Sequence, residues 1–198
     1  STDRITEVLE EVPEMQDKAD AATEVKDGEI IFDHVNFSYA GEGGNLSLKD
    51  VNLHIKSGQT IGIIGGTGSG KSSVVNLIPR FYDVTQGSIT IDGVDVRDLS
   101  QHELREKIGY VPQKGILFSG TIESNIKFGA PEASMDIVKE AAEIAQATEF
   151  IETKSAKYES PIAQGGTNVS GGQKQRLSIA RVMTKKQQAH LISHRASV

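Results

Sequence analysis

The residues whose types and spacing first indicate chemistry lie in a glycine-rich stretch, residues 65–73, which matches the pattern G-x-x-x-x-G-K-S/T. Glycines let the backbone approach phosphate oxygens where a Cβ atom would collide. Lys71 supplies a mobile positive charge for the terminal phosphates, and the hydroxyl of Ser72 can ligate Mg²⁺. The stretch therefore predicts a phosphate-binding loop, with candidate ligand residues Gly65, Gly66, Thr67, Gly68, Ser69, Gly70, Lys71, Ser72 and Ser73.

A second loop rich in small residues, residues 164–173, repeats the logic of the first. It precedes an apolar-periodic segment that includes Leu177, Ile179 and Ala180, so its main-chain N–H groups would be free to bind an anion at a helix start. A single phosphate loop leaves the last phosphate of a triphosphate exposed, and a second helix N-terminus would suit a site closed by two surfaces. The candidate contacts here are Ser170, Gly171, Gly172 and Gln173.

The elements on either side of the first loop must position it. Residues 60–64 form a continuous rather than alternating apolar run, which predicts a strand buried on both faces of a parallel sheet. The apolar residues after the loop recur at helical spacing: Val74, Val75, Leu77, Ile78 and Phe81. A strand, a loop and a helix start in this order aim N–H groups at an anion, which favours a nucleotide site over a glycine-rich turn with an incidental lysine.

The N-terminal part of the chain is typical of a short helix, a linker and an antiparallel sheet. Residues 3–12 place apolar side chains on one helical face, whereas the polar residues 14–28 lack a sustained period. The folded domain is therefore predicted to begin near Glu29. Alternating apolar residues predict half-buried strands at residues 35–39 and 51–55, joined by a glycine-rich turn.

Further along, local signals predict a hairpin and helices. The dipeptide Asp92-Gly93 lies between alternating runs and is typical of a type I′ turn. A helix is predicted at residues 101–107. Residues 131–151 form a predicted helical region in which Ser134 is a candidate N-cap.

Several single residues have two interpretations. Tyr39 ends a predicted strand, where its ring could stack on an adenine or belong to the core. Gln113 closes a short strand predicted at residues 108–113, where it could coordinate Mg²⁺ or a water, or only cap the strand end. Three histidines are interpreted as ordinary strand or surface residues: His34, His54 and His102.

Composition narrows the function classes. The chain has 198 residues and a net charge of -6, which argues against nucleic acid as its main partner. It has no cysteine, so disulfides and thiolate metal sites are excluded, as suits a reducing cytoplasm. No apolar run approaches the roughly 18 residues that a membrane span needs, so we expect no membrane crossing by this chain itself.

Three motifs together resemble those of the ATP-binding-cassette (ABC) ATPases: the phosphate loop as Walker A, residues 169–173 as the signature, and residues 110–113 as the Q-loop. Residues 116–126 look like the corresponding segment in the exporter branch of this family, in which the cassette follows a membrane domain in the same polypeptide. The resemblance covers residues 3 to about 186. It implies an α/β fold, with a P-loop NTPase core that holds ATP and Mg²⁺, an antiparallel β subdomain and a helical subdomain that carries the signature.

The resemblance also implies roles for individual residues. Tyr39 would stack on the adenine, Lys71 would act on the phosphates, and Gln113 would contact Mg²⁺ and the attacking water. Ser170 and Gly172 would reach the last phosphate held by a partner cassette, because two cassettes of this family pair head to tail. Lys71, Gln113 and His194 are thus the candidate catalytic residues, with His194 as the family's switch histidine, and the metal ligands would be Ser72 and Gln113.

The expected organisation follows from the same resemblance. Residues 1–28 would be a linker helix and linker after a presumed membrane domain, and residues 29–198 the nucleotide-binding domain, with its helical subdomain at about residues 115–175. The expected partners are a second nucleotide-binding domain, identical or not, and the transmembrane domain of the same transporter. The chain would then lie at the cytoplasmic face of a membrane and use ATP-driven dimerisation to move a substrate across it.

Two departures from the family pattern matter. Gln164 stands where many exporters carry an acidic residue. The Walker B strand, with its Asp and catalytic Glu, has no counterpart, and no acidic residue occurs beyond Glu159. Because His194 lies in a stretch that looks like the family's switch-histidine motif, we expect a segment to be absent between about Lys186 and Ala189. A cassette that binds ATP without hydrolysing it, and a non-membrane ABC ATPase, are the alternative functions.

Overall fold

A computed structural model of the chain describes residues 15–22, 24–185 and, through their backbone, 191–193. The helix predicted at residues 3–12, the junction between Lys186 and Ala189, and the candidate switch residue His194 lie outside these ranges. The chain divides between Leu104 and Arg105 into two compact units, which are described in turn.

The first unit is built on an antiparallel sheet. Its strands are β1 (Ile30–Phe37), β2 (Leu48–Ile55), β3 (Gln86–Ile91) and β4 (Val94–Asp95), in the spatial order β2-β1-β3-β4. Apolar residues of β1 point into the core, as Phe32, Val35 and Phe37 are each at most 2% exposed. The predicted β1–β2 hairpin is confirmed, although β1 ends at Phe37 and leaves Tyr39 beyond the strand.

The β3–β4 turn is the two-residue type that its sequence predicts. Asp92 and Gly93 both have positive φ, 52° and 79°, as a type I′ turn requires. The Asp92 carboxylate also accepts hydrogen bonds from the backbone N–H groups of Lys26 (2.8 Å), Asp27 (3.1 Å) and Glu29 (2.9 Å). Burial acts to raise the pKa of Asp92, but these N–H donors outweigh it and hold the pKa below its ordinary value.

The polar segment ahead of the sheet is attached to the first unit at two further places. Ala22 pairs with Leu99 in an isolated parallel bridge. The Asp17 carboxylate accepts a hydrogen bond at 3.1 Å from the backbone N–H of Gln101, the first residue of helix α2 (Gln101–Lys107), and this donor lowers the pKa of Asp17. Residues 15–22 and 24–28 are thus irregular, as predicted, and are tied to the sheet and to α2.

Helix α1 (Lys71–Leu77) directly follows the phosphate loop, and the first unit ends within helix α2 (Gln101–Lys107). Both helices are predicted by the sequence, and Val74, Val75 and Leu77 are buried. Helix α1 ends earlier than the apolar spacing indicates, and Phe81 is 36% exposed.

The prediction of a buried strand at residues 60–64 is wrong for this structure. These residues form no strand, and the exposed fractions of Ile61, Ile63 and Ile64 are 37%, 36% and 90%. A strand buried on both faces needs hydrogen-bonded neighbours on its edges and layers above and below it. Within the described residues, the parallel pairing is limited to one two-stranded sheet and one isolated bridge, so no ladder includes residues 60–64.

The second unit is mainly helical. Strand β5 (Gly109–Val111) pairs in parallel with β8 (Leu191–Ser193), and β6 (Gly120–Thr121) pairs antiparallel with β7 (Pro161–Ile162). The helices are α3 (Ile122–Ile126), α4 (Met135–Ile144), α5 (Thr148–Glu152) and α6 (Gly171–Thr184). Helix α4 begins at the predicted N-cap, Ser134, and α3 is an element that the sequence pattern did not indicate. No helix in the described part of the chain is long and apolar enough to cross a membrane.

The core of the second unit is formed by the buried faces of these helices. Ile122, Ile126, Val138, Ile151 and Leu177 are completely buried. They join α3, α4, α5 and α6 in one apolar cluster. Helix α6, which follows the second glycine loop, is therefore packed into this core from Leu177 onward, whereas Gly171 and Gly172 at its start are exposed.

Candidate nucleotide site

The phosphate loop is an open, glycine-shaped turn. Gly68 and Gly70 have φ of 80° and 85°, a region that side chains other than glycine rarely adopt. A Cβ atom added to Gly66 or Gly68 would meet nothing within 4 Å, so the main chain at these positions is accessible to a ligand. Residues 65–69 are exposed. This arrangement fits the phosphates of a nucleotide, which need close approach to N–H groups rather than to side chains.

The base of the loop is fixed to the sheet. A Cβ atom on Gly70 would lie 2.7 Å from Cδ2 of Leu48 and 2.8 Å from the carbonyl oxygen of Ser47, so Gly70 packs directly against the start of β2. Gly70 is also the N-cap of α1 and has no side chain to occupy the helix start. Val74 N donates to Gly70 O at 3.0 Å. Glycine is therefore required at this position for its conformation and for space.

Lys71 lies across the loop. Its Nζ atom donates to the carbonyl oxygens of Gly65 (2.5 Å) and Gly66 (2.8 Å), and Ser69 Oγ lies at 3.4 Å. The ammonium group is thus held over the glycine loop by neutral carbonyl groups, without a carboxylate partner in these contacts. An anionic oxygen is a stronger acceptor than a carbonyl, so a phosphate can draw this ammonium toward itself.

Tyr39 lies beyond the end of β1 and is 53% exposed, which rules out its interpretation as a core residue. Its hydroxyl forms a hydrogen bond with Ser73 Oγ, the third residue of α1, at 3.1 Å. The aromatic side chain is thereby tied to the helix that follows the phosphate loop. Its remaining ring surface can accept a planar base.

Ser170 is the N-cap of α6 and forms a reciprocal capping box with Gln173. Ser170 Oγ accepts from Gln173 N at 3.2 Å, and Gln173 Oε1 accepts from Ser170 N at 3.0 Å. Gly171 and Gly172 occupy the first turn, where an added Cβ atom would meet nothing within 4 Å. The signature loop thus opens a long, well-packed helix and presents glycine main chain to its surroundings.

The loop before Ser170 is held by two polar side chains. Asn168 Nδ2 donates to Pro161 O at 2.8 Å, and Asn168 Oδ1 accepts from Ala163 N at 3.0 Å. Lys174 Nζ donates to Gly165 O at 2.9 Å. Gln164, the departure from the exporter pattern, begins the short turn Gln164–Gly166 and is exposed. The signature is therefore preceded by an ordered turn.

Gln113 is exposed in the second unit, two residues after the end of β5, and Ser72 lies in the first unit at the second position of α1. An amide oxygen and a hydroxyl are hard oxygen donors of the kind that Mg²⁺ accepts, usually together with waters and substrate phosphates. In the described residues, no group of three or more His, Asp or Glu side chains is placed to hold a metal ion. Magnesium binding by either residue remains a prediction.

Sequence reasoning missed a polar clamp beside the exporter-like segment. Arg181, on α6, donates to the carbonyl oxygens of Asn125 (2.8 Å) and Ile116 (2.9 Å) and to Asn125 Oδ1 (3.0 Å). Its guanidinium also lies 5.3 Å from the ring centres of Phe118 and Phe128, and burial lowers its pKa. The sequence does show that Arg181 lies between apolar residues of a predicted helix, and this position was the available signal for the clamp.

Comparison with known proteins agrees with this geometry. A family model described as ABC transporter matches residues 48–192. Two Staphylococcus aureus proteins named as multidrug export ATP-binding/permease proteins, from strains NCTC 8325 and bovine RF122, are 48% and 47% identical over 159 residues. These residues are 80% of the chain and 27% of each relative. The chain thus spans about a quarter of the length of the curated relatives that it matches.

A solved structure of a bacterial Atm1-family ABC exporter with ATP bound is also similar, with a TM-score of 0.87 and 34% identity. The similarity covers 94% of this chain and 33% of that one. The glycine loop before α1 and the capped start of α6 are therefore parts of an ABC-type P-loop NTPase fold. The chain belongs to the ABC transporter family, and the resemblance that its motifs indicate is confirmed.

Proposed function

We propose that the chain is the ATP-binding motor domain of an ABC exporter. The observation that carries this proposal is the open glycine loop at residues 65–70, with the Lys71 ammonium held over it by the carbonyl oxygens of Gly65 and Gly66. The exposed Tyr39 ring, tied to α1, supports adenine as the base. The names of the relatives, which include both an ATP-binding and a permease part, support a membrane exporter as the parent protein.

The chemistry of such a site is electrostatic. Phosphoryl transfer requires that the charge on the phosphate oxygens be balanced and that water and phosphate be aligned. Main-chain N–H groups of the loop and the Lys71 ammonium would balance this charge, and Gln113 would orient a water. Magnesium, for which Ser72 and Gln113 are each candidate ligands, would supply further positive charge when bound.

A cassette that binds ATP without hydrolysing it is the second candidate. Hydrolysis in this family uses a carboxylate after the Walker B strand, and the sequence contains no Asp or Glu beyond Glu159. Without a general base the attacking water would be activated poorly, so turnover by this chain should be slow even when ATP binds. Phosphate release by the isolated chain, measured at saturating ATP, separates the two candidates.

The proposed partners are a second nucleotide-binding domain and a transmembrane domain, at the cytoplasmic face of a membrane. Ser170 and the glycines after it would close over the nucleotide of the partner cassette, because a serine-capped helix start presents N–H groups to an anion. ATP would then join two cassettes, and its hydrolysis would release them. Stimulation of turnover by membrane substrates would distinguish an exporter from a non-membrane ABC ATPase.

The central test is Lys71→Ala. Hydrogen bonds to charged groups contribute about 1.5–3 kcal/mol each, so we expect ATP affinity to fall at least about tenfold. The measurement is a titration with a fluorescent ATP analogue, together with circular dichroism to check folding. Lys56→Ala, which removes an exposed lysine of the same unit, is the matched control and should bind normally. Equal affinity of Lys71→Ala and the wild type would refute the proposed site.

Dimerisation is tested at Ser170, where the capping box complicates a simple alanine variant. Ser170→Ala removes the cap of α6, which costs about 0.5–2 kcal/mol of stability, as well as any contact with a partner's nucleotide. Ser170→Asn keeps a good N-cap and changes the surface offered to the partner. We expect both variants to bind ATP as monomers and to lose the ATP-dependent dimer in sedimentation velocity. A dimer restored by Ser170→Asn would show that only the cap matters.

A further inference from the structure

The turn that follows α1 is fixed by an unusually well-buried arginine. Arg80 has a positive φ of 51° and is 4% exposed. Its guanidinium makes a two-pronged ion pair with Asp83, Nε to Oδ1 at 2.8 Å and Nη2 to Oδ2 at 3.2 Å, and Nη1 donates to Arg97 O at 3.4 Å. We call residues 80–83 the support turn. Its two ends are bound to each other and to the body of the first unit.

The support turn presents one side chain, Tyr82, to Tyr39. The two rings meet edge to face, with centres 5.1 Å apart and planes at 88°. Phe37, the last residue of β1, completes a three-ring cluster, with its centre 4.7 Å from that of Tyr39 and 5.7 Å from that of Tyr82. Tyr39 is therefore held by two rings at steep angles.

The main chain next to Tyr39 is also held by a residue close to the support turn. Thr85, just after the support turn, accepts a hydrogen bond at its Oγ1 from Ser38 N at 3.0 Å. Ser38 Oγ in turn accepts from Ala40 N at 3.2 Å. Together with the Tyr39 hydroxyl bond to Ser73, these contacts fix the backbone, the ring plane and the tip of Tyr39.

We infer that Tyr82 is a positioning residue for base recognition, acting through Tyr39. This inference rests on the proposed function, in which Tyr39 stacks on the adenine of ATP. A half-exposed tyrosine at a strand end would otherwise lose side-chain freedom when a base binds. Because Tyr82 orders the ring beforehand, this cost is reduced for ligands that carry a base. Inorganic triphosphate has no base, so its affinity does not depend on the ordering of the Tyr39 ring.

The test compares two ligands across four single variants of the chain and the double variant that combines Tyr39→Ala with Tyr82→Leu. Tyr82→Leu removes the ring, Tyr82→Phe keeps the ring and removes its hydroxyl, Tyr39→Ala removes the proposed stacking group, and Phe128→Leu changes an exposed ring of the second unit as a control. Affinities for ATP and for inorganic triphosphate are measured by competition with a fluorescent nucleotide. Circular dichroism confirms that each variant is folded.

We expect Tyr82→Leu to weaken ATP about two- to tenfold, the range given by one aromatic pair, and to leave triphosphate affinity unchanged. Tyr82→Phe and Phe128→Leu should bind ATP like the wild type. In the Tyr39→Ala background, Tyr82→Leu should have no further effect, because its action passes through the missing ring.

The outcomes separate this inference from the function on which it rests. If Tyr39→Ala weakens ATP and Tyr82→Leu does not, the positioning role is wrong and the stacking role stands. Equal losses of ATP and triphosphate affinity in Tyr82→Leu would indicate a general structural effect and overturn the inference. If Tyr39→Ala leaves ATP affinity unchanged, adenine stacking fails and the inference fails with it.

Discussion

At the scale of single residues, Asn125 determines the shape of the exporter-like segment. This side chain is 1% exposed. It donates from Nδ2 to the carbonyl oxygens of Phe118 (2.9 Å) and Thr121 (3.0 Å) and accepts from Phe118 N (2.9 Å). Arg181 donates to the same amide oxygen at 3.0 Å. One buried amide thus joins the main chain at Phe118 and Thr121 to the guanidinium of Arg181.

We predict that Asn125→Ala lowers the free energy of unfolding by roughly 2–4 kcal/mol, because four hydrogen bonds to this buried amide are lost together. Urea unfolding followed by circular dichroism measures this change. Asn45→Ala, which truncates an exposed asparagine of the β1–β2 turn, should change the free energy by less than about 0.5 kcal/mol. Similar small effects of both substitutions would mean that the clamp contributes little.

Ser170 illustrates a second feature of the residue scale, which is that one side chain serves both stability and the proposed chemistry. Its hydroxyl accepts from Gln173 N within the chain, and the same hydroxyl is predicted to reach a partner's nucleotide. A substitution at such a position changes two properties at once. This is why the Asn variant is needed beside the Ala variant.

At the scale of elements, the irregular pairing of β1 with its neighbours depends on a glycine in β3. The register shifts between Asp33 and Asn36 of β1 where it pairs with β3. Gly87, which has a φ of 82°, lies in β3 at the position of this register shift, between Gln86 and Ser88. An added Cβ atom would come within 2.5 Å of Asp33 O and closer still to His34 O. The close approach of two backbones, rather than turn geometry alone, requires glycine here.

We predict that Gly87→Ala destabilises the chain by roughly 3 kcal/mol or more, whereas Gly43→Ala costs only about 1–2 kcal/mol. Gly43 has the same φ of 82° but an added Cβ atom would meet nothing within 4 Å, so it isolates the conformational cost. Thermal and urea unfolding of the two variants measure the difference, which reports the clash with β1. Equal losses would show that the sheet yields easily at this place.

At the scale of the whole molecule, residues 60–64 are the part of the chain where the sequence pattern and the structure disagree. Ile64 is 90% exposed, and the segment belongs to no strand. Exposure of a β-branched, apolar run is costly because such residues gain stability from burial on both faces of a sheet. A neighbouring strand would supply the missing ladder of hydrogen bonds. The segment expected to be absent between about Lys186 and Ala189 would contain a strand of this kind.

We predict that the backbone amides of residues 60–64 exchange with solvent close to their intrinsic rates, because no sheet hydrogen bonds protect them. The amides of β1, which is paired on both sides, should be protected by orders of magnitude more. Hydrogen exchange followed by mass spectrometry or NMR on the unliganded chain measures both. Strong protection at Ile61 and Ile63 would show that these residues pair as a strand in solution.

The sequence by itself determined the features that depend on residues a few positions apart. These include the phosphate loop, the Asp92-Gly93 turn, the bounds of α2 and the Ser134 cap of α4. Caps, tight turns and loops of this kind are set by local φ and ψ preferences and by short-range hydrogen bonds, so a short window of sequence contains their causes. The family followed from the spacing of such local motifs.

Only the tertiary structure decided the features that join distant parts of the chain. Arg181 reaches Asn125 across 56 positions, and Asp92 accepts from Lys26 across 66. The three-ring cluster around Tyr39, and the exposure of residues 60–64, likewise depend on which segments become neighbours. The local sequence shows which side chains can be buried or can form hydrogen bonds. Whether such a side chain finds a partner depends on how elements that are distant in sequence pack together.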